Sequence, residues 1–244
     1  MSEPAISVIM AYHNRPMHLR NTLESYRHFY PDLDYEVVIV DDSSQQEKQL
    51  LDLVATFEDI KIVTEYVDRK SKKVRGPGAI MNRAAELASG KIIALTNPEN
   101  MHCGPVLTDA VENLTEGNYR VYACRTLNEL PRRFELVLQD ANSFADKSVH
   151  GGWYVHSAHY ARKLHFMSAI TKSDWELTGG FDPAFDDGCG YDDDDLVRTI
   201  ESHGINIKII DDPHVAHQWH TRGHWDFGNA TRRNCDLFTE KWGK

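Results

Sequence analysis

The stretch Gly179-Gly-Phe-Asp-Pro-Ala-Phe-Asp-Asp-Gly-Cys-Gly-Tyr-Asp-Asp-Asp-Asp-Leu196 places four consecutive aspartates directly after a glycine-rich turn. The apolar residues that follow predict a helix that begins with these carboxylates and ends near Gly204. Neighbouring carboxylates raise one another's pKa unless a cation or a helix N-terminus relieves their repulsion. The run alone therefore has two interpretations: a base or cation site, or an acidic first turn that suits the helix dipole.

The charge of the chain limits its classes of partner. The 244 residues include 27 basic and 37 acidic side chains, which gives a net charge of −10. A general nucleic-acid binder needs a basic face that displaces counterions, so we expect no general nucleic-acid binding. One local basic segment, 69–75, is either a solvated loop or a loop that faces an anion.

The apolar pattern and the cysteines predict a cytoplasmic protein. No apolar run is long enough to cross a bilayer, so we expect no membrane span, and the N-terminus lacks a basic-then-apolar signal pattern. The four cysteines are scattered and form no CxxC pair, which favours a reduced chain without a cysteine zinc site.

Alternating strand and helix patterns predict an α/β fold with a mainly parallel sheet flanked by helices. Buried-strand patterns lie at 6–11, 35–40, 60–67 and 91–96, and helical patterns follow each of them, the first with Asn14 as its predicted cap. The later chain predicts a helix at 106–114, strands at 119–127, 164–170 and 205–210, a short helix around Trp175, an irregular aromatic-rich segment at 128–163 and a tail at 211–244. We expect a single domain, 1–244, with a nucleotide-binding half to about residue 100 and an acceptor half after it.

Polar clusters follow three of the predicted strands, at 11–15, 41–44 and 97–100. Ligands of open parallel sheets bind at the carboxyl ends of the strands, so these clusters predict a binding site. The chain contains neither a phosphate-loop lysine signature nor a G-x-G-x-x-G pattern. A carboxylate after the second strand can still accept hydrogen bonds from a ribose or a nucleobase, although a turn or helix cap explains such a residue equally simply.

Taken in order, the segments 6–15, 38–44, 76–99 and 179–196 resemble a family 2 glycosyltransferase of the GT-A fold. The resemblance covers about residues 5–220, which is nearly the whole chain. Its most specific part is the stretch from Gly179 to Leu196, which is similar to the acceptor-site and base motif of inverting enzymes, including galactosyltransferase-like ones.

The resemblance implies a nucleotide-sugar donor, with a UDP-sugar favoured. Ala11 and His13 would lie along the nucleotide base, and Asp42 would accept the imino proton of that base. The loop that holds Lys73 and Arg75 would approach the diphosphate. The full set of implied donor-binding residues is Ala11, His13, Arg15, Asp42, Arg75, Asn82 and Asn97.

The resemblance also implies a divalent cation, Mn2+ or Mg2+. The usual Asp-x-Asp metal motif falls on Asn97-Pro98-Glu99, where Glu99 can ligate a hard cation and Asn97 offers only a neutral oxygen. A metal-ligating histidine after the last strand matches His217 best and His220 second. Such histidines can equally be surface or core hydrogen-bonding groups.

For catalysis, the resemblance implies that Asp193 deprotonates the acceptor hydroxyl, with Asp192 as the alternative base or as a partner of an acceptor hydroxyl. Sugar rings stack on aromatic faces, so Trp153 and Tyr154 are candidates for an acceptor platform, although core packing is the commoner role of such residues. The implied acceptor-binding residues are Trp153, Tyr154, Gly180 and Asp192, whereas we expect Trp175 in the core.

The sequence therefore predicts a metal-assisted, inverting transfer of a sugar to the hydroxyl of a glycan or another acceptor. Three alternatives stay open at this point. One is a non-catalytic nucleotide-sugar or glycan-binding protein, which the neutral Asn97 favours. The others are a nucleotidyltransferase, for which His13-Asn14-Arg15-Pro16 is a poor match, and an enzyme whose acceptor is a modified nucleic-acid base. The sequence identifies neither the sugar nor the acceptor.

Overall fold

The computed structural model describes residues 3–72, 76–221 and 227–243. The strands are β1 (Ile6–Tyr12), β2 (Tyr35–Asp42), β3 (Lys61–Val67), β4 (Ile92–Thr96), β5 (Asn100–His102), β6 (Asn118–Thr126), β7 (Trp153–Val155), β8 (Met167–Thr171) and β9 (Asn206–His217). The helices are α1 (Pro16–Phe29), α2 (Glu47–Val54), α3 (Gly78–Leu87), α4 (Val106–Asn113), α5 (Phe134–Gln139), α6 (Ala141–Phe144), α7 (Lys172–Thr178), α8 (Asp192–Ser202) and α9 (Phe227–Trp242), with one 3-10 turn at Pro183–Phe185.

Within these described ranges, one nine-stranded sheet runs in the order β3-β2-β1-β4-β8-β6-β9-β5, and β7 pairs with β6. The first four strands along the sheet are parallel, as the alternating pattern predicts. Strand β8 lies antiparallel between β4 and β6, and β9 returns parallel to β6, so the second half of the sheet is mixed. The carboxyl ends of β1, β2 and β4 thus meet at one edge, which is where the polar clusters lie.

Burial explains why the first strands could be recognised from their sequence. Every residue of β2 is buried, and β1 and β4 are buried almost throughout. Helices cover both faces of such parallel strands, which therefore read as continuous apolar runs rather than as alternating ones. The main core cluster joins these strands to α1, α3 and α8, and it includes Trp175 as expected.

The structure differs from the sequence prediction in several places, and one of them is strand β5, which the sequence did not predict. Helix α1 begins at Pro16 with Arg15 at the cap position, so the prediction that Asn14 caps it is wrong; Asn14 has a φ of 51° and accepts from the backbone N–H of Gln45. Strand β9 continues seven residues further than predicted, to His217. The segment 128–163 contains α5, α6 and β7 instead of being irregular, and the tail contains α9.

Strand β9 brings two histidines of the tail back to the sheet. A register shift in β6 between Tyr122 and Cys124 takes up extra residues of β9, after which the two strands pair again as far as His217. His217 also lies opposite Asn100 of β5, directly beside the end of β4. No helix in the part of the chain that the structure describes is long and apolar enough to span a bilayer.

Candidate active site

The polar group at the ends of β1 and β4 is centred on Glu99. Its carboxylate accepts from Arg15 Nε at 2.9 Å, and Arg15 Nη2 donates to His220 Nδ1 at 3.3 Å. His220 Nε2 lies 4.0 Å from the same Glu99 oxygen. Asn97, two residues earlier, closes the turn by accepting the backbone N–H of Asn100 with its carbonyl. The structure therefore brings Arg15 and Glu99 together, as the strand-end pattern predicts, and places His220 beside them, which the resemblance implied as the second choice of metal ligand.

His217 lies next to this group. Its ring is 5.2 Å from the ring of His220 and 5.3 Å from each of Tyr154 and Phe166. Burial lowers the pKa of His217 to about 4, although the nearby Glu99 raises it in part. The imidazole is therefore neutral at neutral pH, and the neutral form is the one that ligates metals.

Glu99, His217 and His220 offer one carboxylate and two imidazoles, which are metal-ligating groups, and the carboxylate is the one that suits Mn2+ best. Within the described ranges, however, no three His, Cys, Asp or Glu side chains are arranged so that they could hold a metal ion. Arg15 occupies the Glu99 oxygen that also lies closest to His220. The donor types fit a divalent cation, although one of the two Glu99 oxygens is already bonded to the guanidinium.

The predicted nucleobase end of the site has its own partners. His13 Nδ1 lies 2.7 Å from the carbonyl oxygen of Asp42, and Asn14 Nδ2 lies 2.9 Å from His13 Nε2. Both carboxylate oxygens of Asp42 accept from Arg69, at 2.9 Å and 2.7 Å. Ala11 lies in β1 beside the core. Asp42 thus lies at the end of β2 as predicted, and it also holds a guanidinium that the sequence did not assign to it.

Arg69 fastens this end of the sheet to the other half of the chain. Its Nη1 donates to both oxygens of Asp186, at 2.7 Å and 2.8 Å, and its Nη2 also donates to the carbonyl of Gly76 at 3.0 Å. With the two bonds to Asp42, every N–H direction of the guanidinium is used. Lys72 pairs with Asp186 and Asp187. The predicted diphosphate contacts Lys73 and Arg75 lie outside the described residues.

Asn82 and Gly180 pack against each other. The Asn82 side chain accepts from the backbone N–H of Phe181 at 2.9 Å and donates to the carbonyl of the same residue at 2.8 Å. Gly180 has a φ of 71°, and a Cβ there would come within 2.5 Å of Asn82 Oδ1 and 2.7 Å of Trp175. Both residues therefore position the Gly-Gly-Phe-Asp turn, and contact of either with a donor or acceptor stays a prediction.

Asp192 and Asp193 begin α8 and are only partly exposed. Burial raises the pKa of Asp192 to about 7, and the charge of Asp193 adds to that shift. Burial likewise raises the pKa of Asp193 to about 6, with the Asp194 charge adding, although a hydrogen bond from the backbone of His165 lowers it in part. Carboxylates that exchange a proton near neutral pH are suited to act as a general base.

The other two aspartates of the run have cationic partners. Arg162 Nη2 pairs with Asp194 at 2.5 Å, and the buried Asp195 accepts from Trp242 Nε1 at 2.7 Å and pairs with Lys241 at 2.9 Å. A cavity of about 330 Å³ opens at the head of the helix, and it is lined by Arg162, Leu164, Gly190, Tyr191, Asp192, Asp193 and Asp194. The run therefore divides into a base candidate pair and two structural carboxylates.

A short segment, His165 and Phe166, connects the two polar groups. The His165 backbone bonds the Asp193 carboxylate, while the Phe166 ring lies 5.3 Å from the ring of His217. The Phe166 carbonyl also accepts from Thr96 at the end of β4, at 2.9 Å. The base candidates and the Glu99 group thus lie against the same two residues, and sequence reasoning had not assigned a role to either.

The two predicted acceptor-platform residues lie on opposite faces of β7. Tyr154 stacks on Phe166 with ring centroids 4.8 Å apart and contacts His217, so it borders the Glu99 group. Trp153 instead contacts Arg125 and His156. Consecutive strand residues point to opposite faces, so the structure does not bring Trp153 to the site of Tyr154.

The chain matches the model of glycosyl transferase family 2 over residues 7–167, about two thirds of its length. No curated protein sequence matches it. Its fold resembles that of the mannosyltransferase PcManGT from Pyrobaculum calidifontis, solved with GDP-Man and Mn2+, at 22% identity and a TM-score of 0.60 over 92% of this chain and 59% of that one. It also resembles residues 1–349 of S. aureus TarS, solved with UDP-GlcNAc, at 14% identity and a TM-score of 0.66 over 96% of this chain and 66% of that one.

The chain thus spans less than two thirds of the length of these solved structures. Because their identity to this chain is low, these structures show only the fold that it shares with them. The match to the family model shows the family to which it belongs. The mixed α/β sheet with its polar strand ends, together with that match, shows that this chain belongs to glycosyl transferase family 2 and has the GT-A fold.

Proposed function

We propose that the protein is an inverting, metal-assisted hexosyltransferase that moves a sugar from a nucleotide-sugar, with UDP as the favoured nucleotide, to an acceptor hydroxyl. The observation that carries the proposal is the pair Asp192 and Asp193. Their pKa values are raised by burial, they line a cavity, and the His165–Phe166 segment connects them to the Glu99 group. The proposal thus rests on a candidate proton acceptor and a polar strand-end group that both lie against the His165–Phe166 segment.

In this proposal, Asp193 accepts the proton of the acceptor hydroxyl as that oxygen attacks the anomeric carbon. Because a sugar hydroxyl is a far weaker acid than a carboxylic acid, proton transfer is late and concerted with attack. Attack from the face opposite the diphosphate inverts the anomeric carbon in one displacement. Asp192 holds a second acceptor hydroxyl or raises the basicity of its neighbour.

The leaving diphosphate lies at the ends of β1 and β4, where Arg15 already supplies positive charge beside Glu99. Glu99, His217 and His220 would hold a divalent cation, which when bound neutralises charge that develops on the diphosphate. Arg15 then turns from Glu99 towards the phosphates. The neighbours' bound Mn2+ and nucleotide-sugars support this part of the proposal by analogy.

Asp42 favours a base that carries an imino N–H, because a carboxylate only accepts hydrogen bonds. Uracil and guanine both carry such a group, and one solved neighbour holds GDP-Man while another holds UDP-GlcNAc. We also propose one domain with a nucleotide-binding half up to about residue 100 and an acceptor half after it. The cytoplasmic location stays a prediction from the sequence.

A second candidate function is a non-catalytic nucleotide-sugar or glycan-binding protein of the same fold. The Arg15–Glu99 ion pair favours it, because the remaining acid of the metal motif already has a cationic partner. Asn97 contributes a neutral side chain where the motif usually has the first acid. Turnover separates the two candidates, since only the enzyme releases a nucleoside diphosphate from its donor.

The test is a thermal-shift screen with UDP, GDP and their sugars, each with and without Mn2+, followed by an assay for nucleoside diphosphate release. A ligand that binds only the folded chain raises the melting temperature by mass action. We expect a UDP-sugar with Mn2+ to give the largest shift, and its UDP to be released when an acceptor is present. Binding without release in the presence of a broad acceptor panel would favour the binding protein. No shift with any nucleotide would refute the transferase and the nucleotide-sugar-binding protein, and would leave only a glycan-binding protein.

A further inference from the structure

Arg125 of β6 is a partly buried cation that has no hydrogen-bond acceptor among the described residues. In the described part of the chain its guanidinium makes no hydrogen bond and no ion pair, and its Nε is buried without an acceptor. The guanidinium lies over the Trp153 ring at 4.0 Å from the ring centroid. That contact uses the flat face of the guanidinium, and it gives the in-plane N–H of the buried Nε no acceptor. A buried donor without an acceptor destabilises the folded chain, so an acceptor bound beside this nitrogen would stabilise it.

Imidazoles surround the same tryptophan. The rings of His156 and His214 lie 4.5 Å and 5.6 Å from the Trp153 ring, and the exposed His159 lies 4.6 Å from His156. His214 Nε2 is a second buried nitrogen without a hydrogen-bond partner. Burial lowers the pKa of His156 and of His214, and the charge of Arg125 lowers both further. The group that faces Arg125 is thus made of imidazoles and aromatic carbon, and each neutral imidazole offers one N–H donor.

The nearest carboxylates do not neutralise Arg125. Asp211 accepts from the backbone N–H of Ser157 at 2.8 Å and lies 3.6 Å from His156 Nδ1. Asp212 is almost fully exposed and lies 3.9 Å from His214 Nδ1. Both therefore sit beside the imidazoles, and neither forms an ion pair with the guanidinium among the residues that the structure describes.

This group lies on the opposite face of the sheet from the candidate active site. Trp153 and Tyr154 are consecutive in β7, and Tyr154 faces His217 and Phe166. Arg125 pairs with Trp153 across the two strands and shares its face. The Arg125 group is therefore a separate feature from the Glu99 group and from the two base candidates.

We infer that Arg125, His156 and His214 form a binding site for a phosphate-type oxyanion. A guanidinium and imidazole N–H groups are the donors that proteins use for phosphate oxygens, and a guanidinium can bind two of those oxygens at once. A bound oxyanion would give Arg125 Nε the acceptor that it lacks among the described residues, and the tautomer of His214 with its proton on Nε2 would supply a further donor. Because β7 carries Tyr154 on its other face, occupancy would also fix the strand that borders the candidate active site.

The probe for this site is inorganic phosphate, added to the full chain saturated with UDP so that the donor site is already filled. The readout is the indole N–H signal of Trp153 in a 1H–15N spectrum, assigned with Trp153→Phe. We expect a saturable shift of this signal, with a dissociation constant in the range of about 0.1–10 mM. Glycerol phosphate in place of inorganic phosphate distinguishes the source, since tighter binding of the monoester indicates a phosphate group on a larger molecule.

Arg125→Met keeps an apolar stem over Trp153 and removes the charge, so it should weaken phosphate binding by at least about tenfold. Arg125→Lys keeps the positive charge but lacks the paired N–H groups of a planar guanidinium, so it should bind phosphate with intermediate affinity. This variant preserves the test if the methionine variant fails to fold. The matched control is Arg198→Met, because Arg198 is exposed and its contact with Glu201 is 3.9 Å long.

Two results would overturn the inference. One is the absence of a saturable Trp153 shift up to about 20 mM phosphate. The other is equal phosphate binding by the wild type and Arg125→Met. If the chain binds no UDP at all, the Trp153 titration can still be read without UDP, so a failure of the proposed transferase function is distinguishable from a failure of this site.

Discussion

The four aspartates at the head of α8 differ because of what each one touches. Asp194 and Asp195 have cationic partners, Arg162 and Lys241. Asp192 and Asp193 form no ion pair with any described residue, and burial governs their pKa values. All four aspartates lie in the first turn of α8, so the helix dipole cannot explain why two of them have cationic partners and the other two have pKa values raised by burial. Asp192, Asp193 and Asp194 all line the cavity beside Leu164, and of these three only Asp192 and Asp193 have no cationic partner among the described residues.

Asp193→Asn should keep donor binding and reduce transfer by about 10²–10⁴-fold, because an amide cannot accept the acceptor proton. In the wild type, transfer should fall as the pH drops through the raised pKa values of the pair, about 6 and about 7, since a base must be unprotonated. Asp194→Asn is the matched control and should retain most of the activity. Nucleotide release measured against pH checks both statements, and normal turnover by Asp193→Asn would show that another group is the base.

Asp192 should also make the stability of the protein depend on pH. Its folded pKa of about 7 lies above the ordinary value of 3.8, so the folded chain favours the protonated carboxyl. The contribution of this group to stability is therefore fully present at low pH and is lost as the pH rises through about 7. Asp192→Asn mimics the protonated form and should raise the melting temperature at pH 8 by about 3 °C, with a much smaller effect near pH 4. An equal change at both pH values would contradict the burial of this carboxyl.

Strand-end residues could be predicted from the sequence more readily than their partners. Arg15 and Glu99 follow buried apolar runs, so their place at one edge of the sheet was foreseeable. The bond of Asp42 to Arg69 joins positions 27 residues apart in the chain. Nothing local in the sequence distinguishes that arginine from its basic neighbours, so only the fold reveals which one is buried. For the same reason the role of His165 and Phe166 could not be read from their apolar surroundings.

At the scale of elements, helix α9 covers the turn that precedes α8, the helix that begins with the candidate bases Asp192 and Asp193. Asn234 is fully buried, and its side chain donates to the carbonyl of Phe185 at 3.0 Å and to that of Gly190 at 2.8 Å. A Cβ at Gly188 would come within 1.9 Å of Asn234 Oδ1, so the helix and the turn fit only with glycine there. The inward contacts of α9 come from Ala230, Asn234, Phe238 and Trp242, which lie at helical spacing. The sequence did not predict this helix because the polar Asn234 interrupts the apolar pattern.

Asn234→Ala should lower the free energy of unfolding by about 1–3 kcal/mol, because it leaves two carbonyls of the turn without their donor. It should also reduce transfer more than donor binding, since the turn leads into Asp192 and Asp193. Gly188→Ala should destabilise the chain through its clash with Asn234. The double variant should be less destabilised than the sum of the two single variants, because removing the asparagine side chain relieves that clash. Urea unfolding of the four proteins measures the coupling, and strict additivity would contradict the contact.

At the scale of the whole molecule, the order of the first four strands could be predicted and their attachment to the rest could not. Buried parallel strands can be recognised in a sequence as apolar runs between helical patterns. The attachment depends on polar contacts between distant residues, such as Arg69 with Asp186, which lie 117 positions apart. Asn82 with Phe181 is a second contact of this kind. These contacts hold the later part of the chain, proposed here as the acceptor half, against the ends of the first strands. Asp42, which also bonds Arg69, takes part in them.

Removing Arg69 should therefore weaken the whole fold. The side chains of Asp42, Arg69 and Asp186 are all nearly buried, and breaking a buried ion pair costs about 3–5 kcal/mol because it leaves uncompensated charge. Arg69→Met should lower the free energy of unfolding by that amount in urea. Lys72→Met is the matched control, since Lys72 is more exposed and such a pair contributes about 1 kcal/mol or less.

The cause of that loss can be isolated with a triple variant. Combining Arg69→Met with Asp42→Asn and Asp186→Asn removes all three charges, so it should recover much of the stability, because no buried carboxylate then lacks a cation. It should nevertheless not recover UDP binding, since Asp42 is the residue proposed to accept the imino N–H of the base. Full stability in Arg69→Met alone would show that the guanidinium does not join the two halves, and UDP binding by the triple variant would remove Asp42 from the donor site.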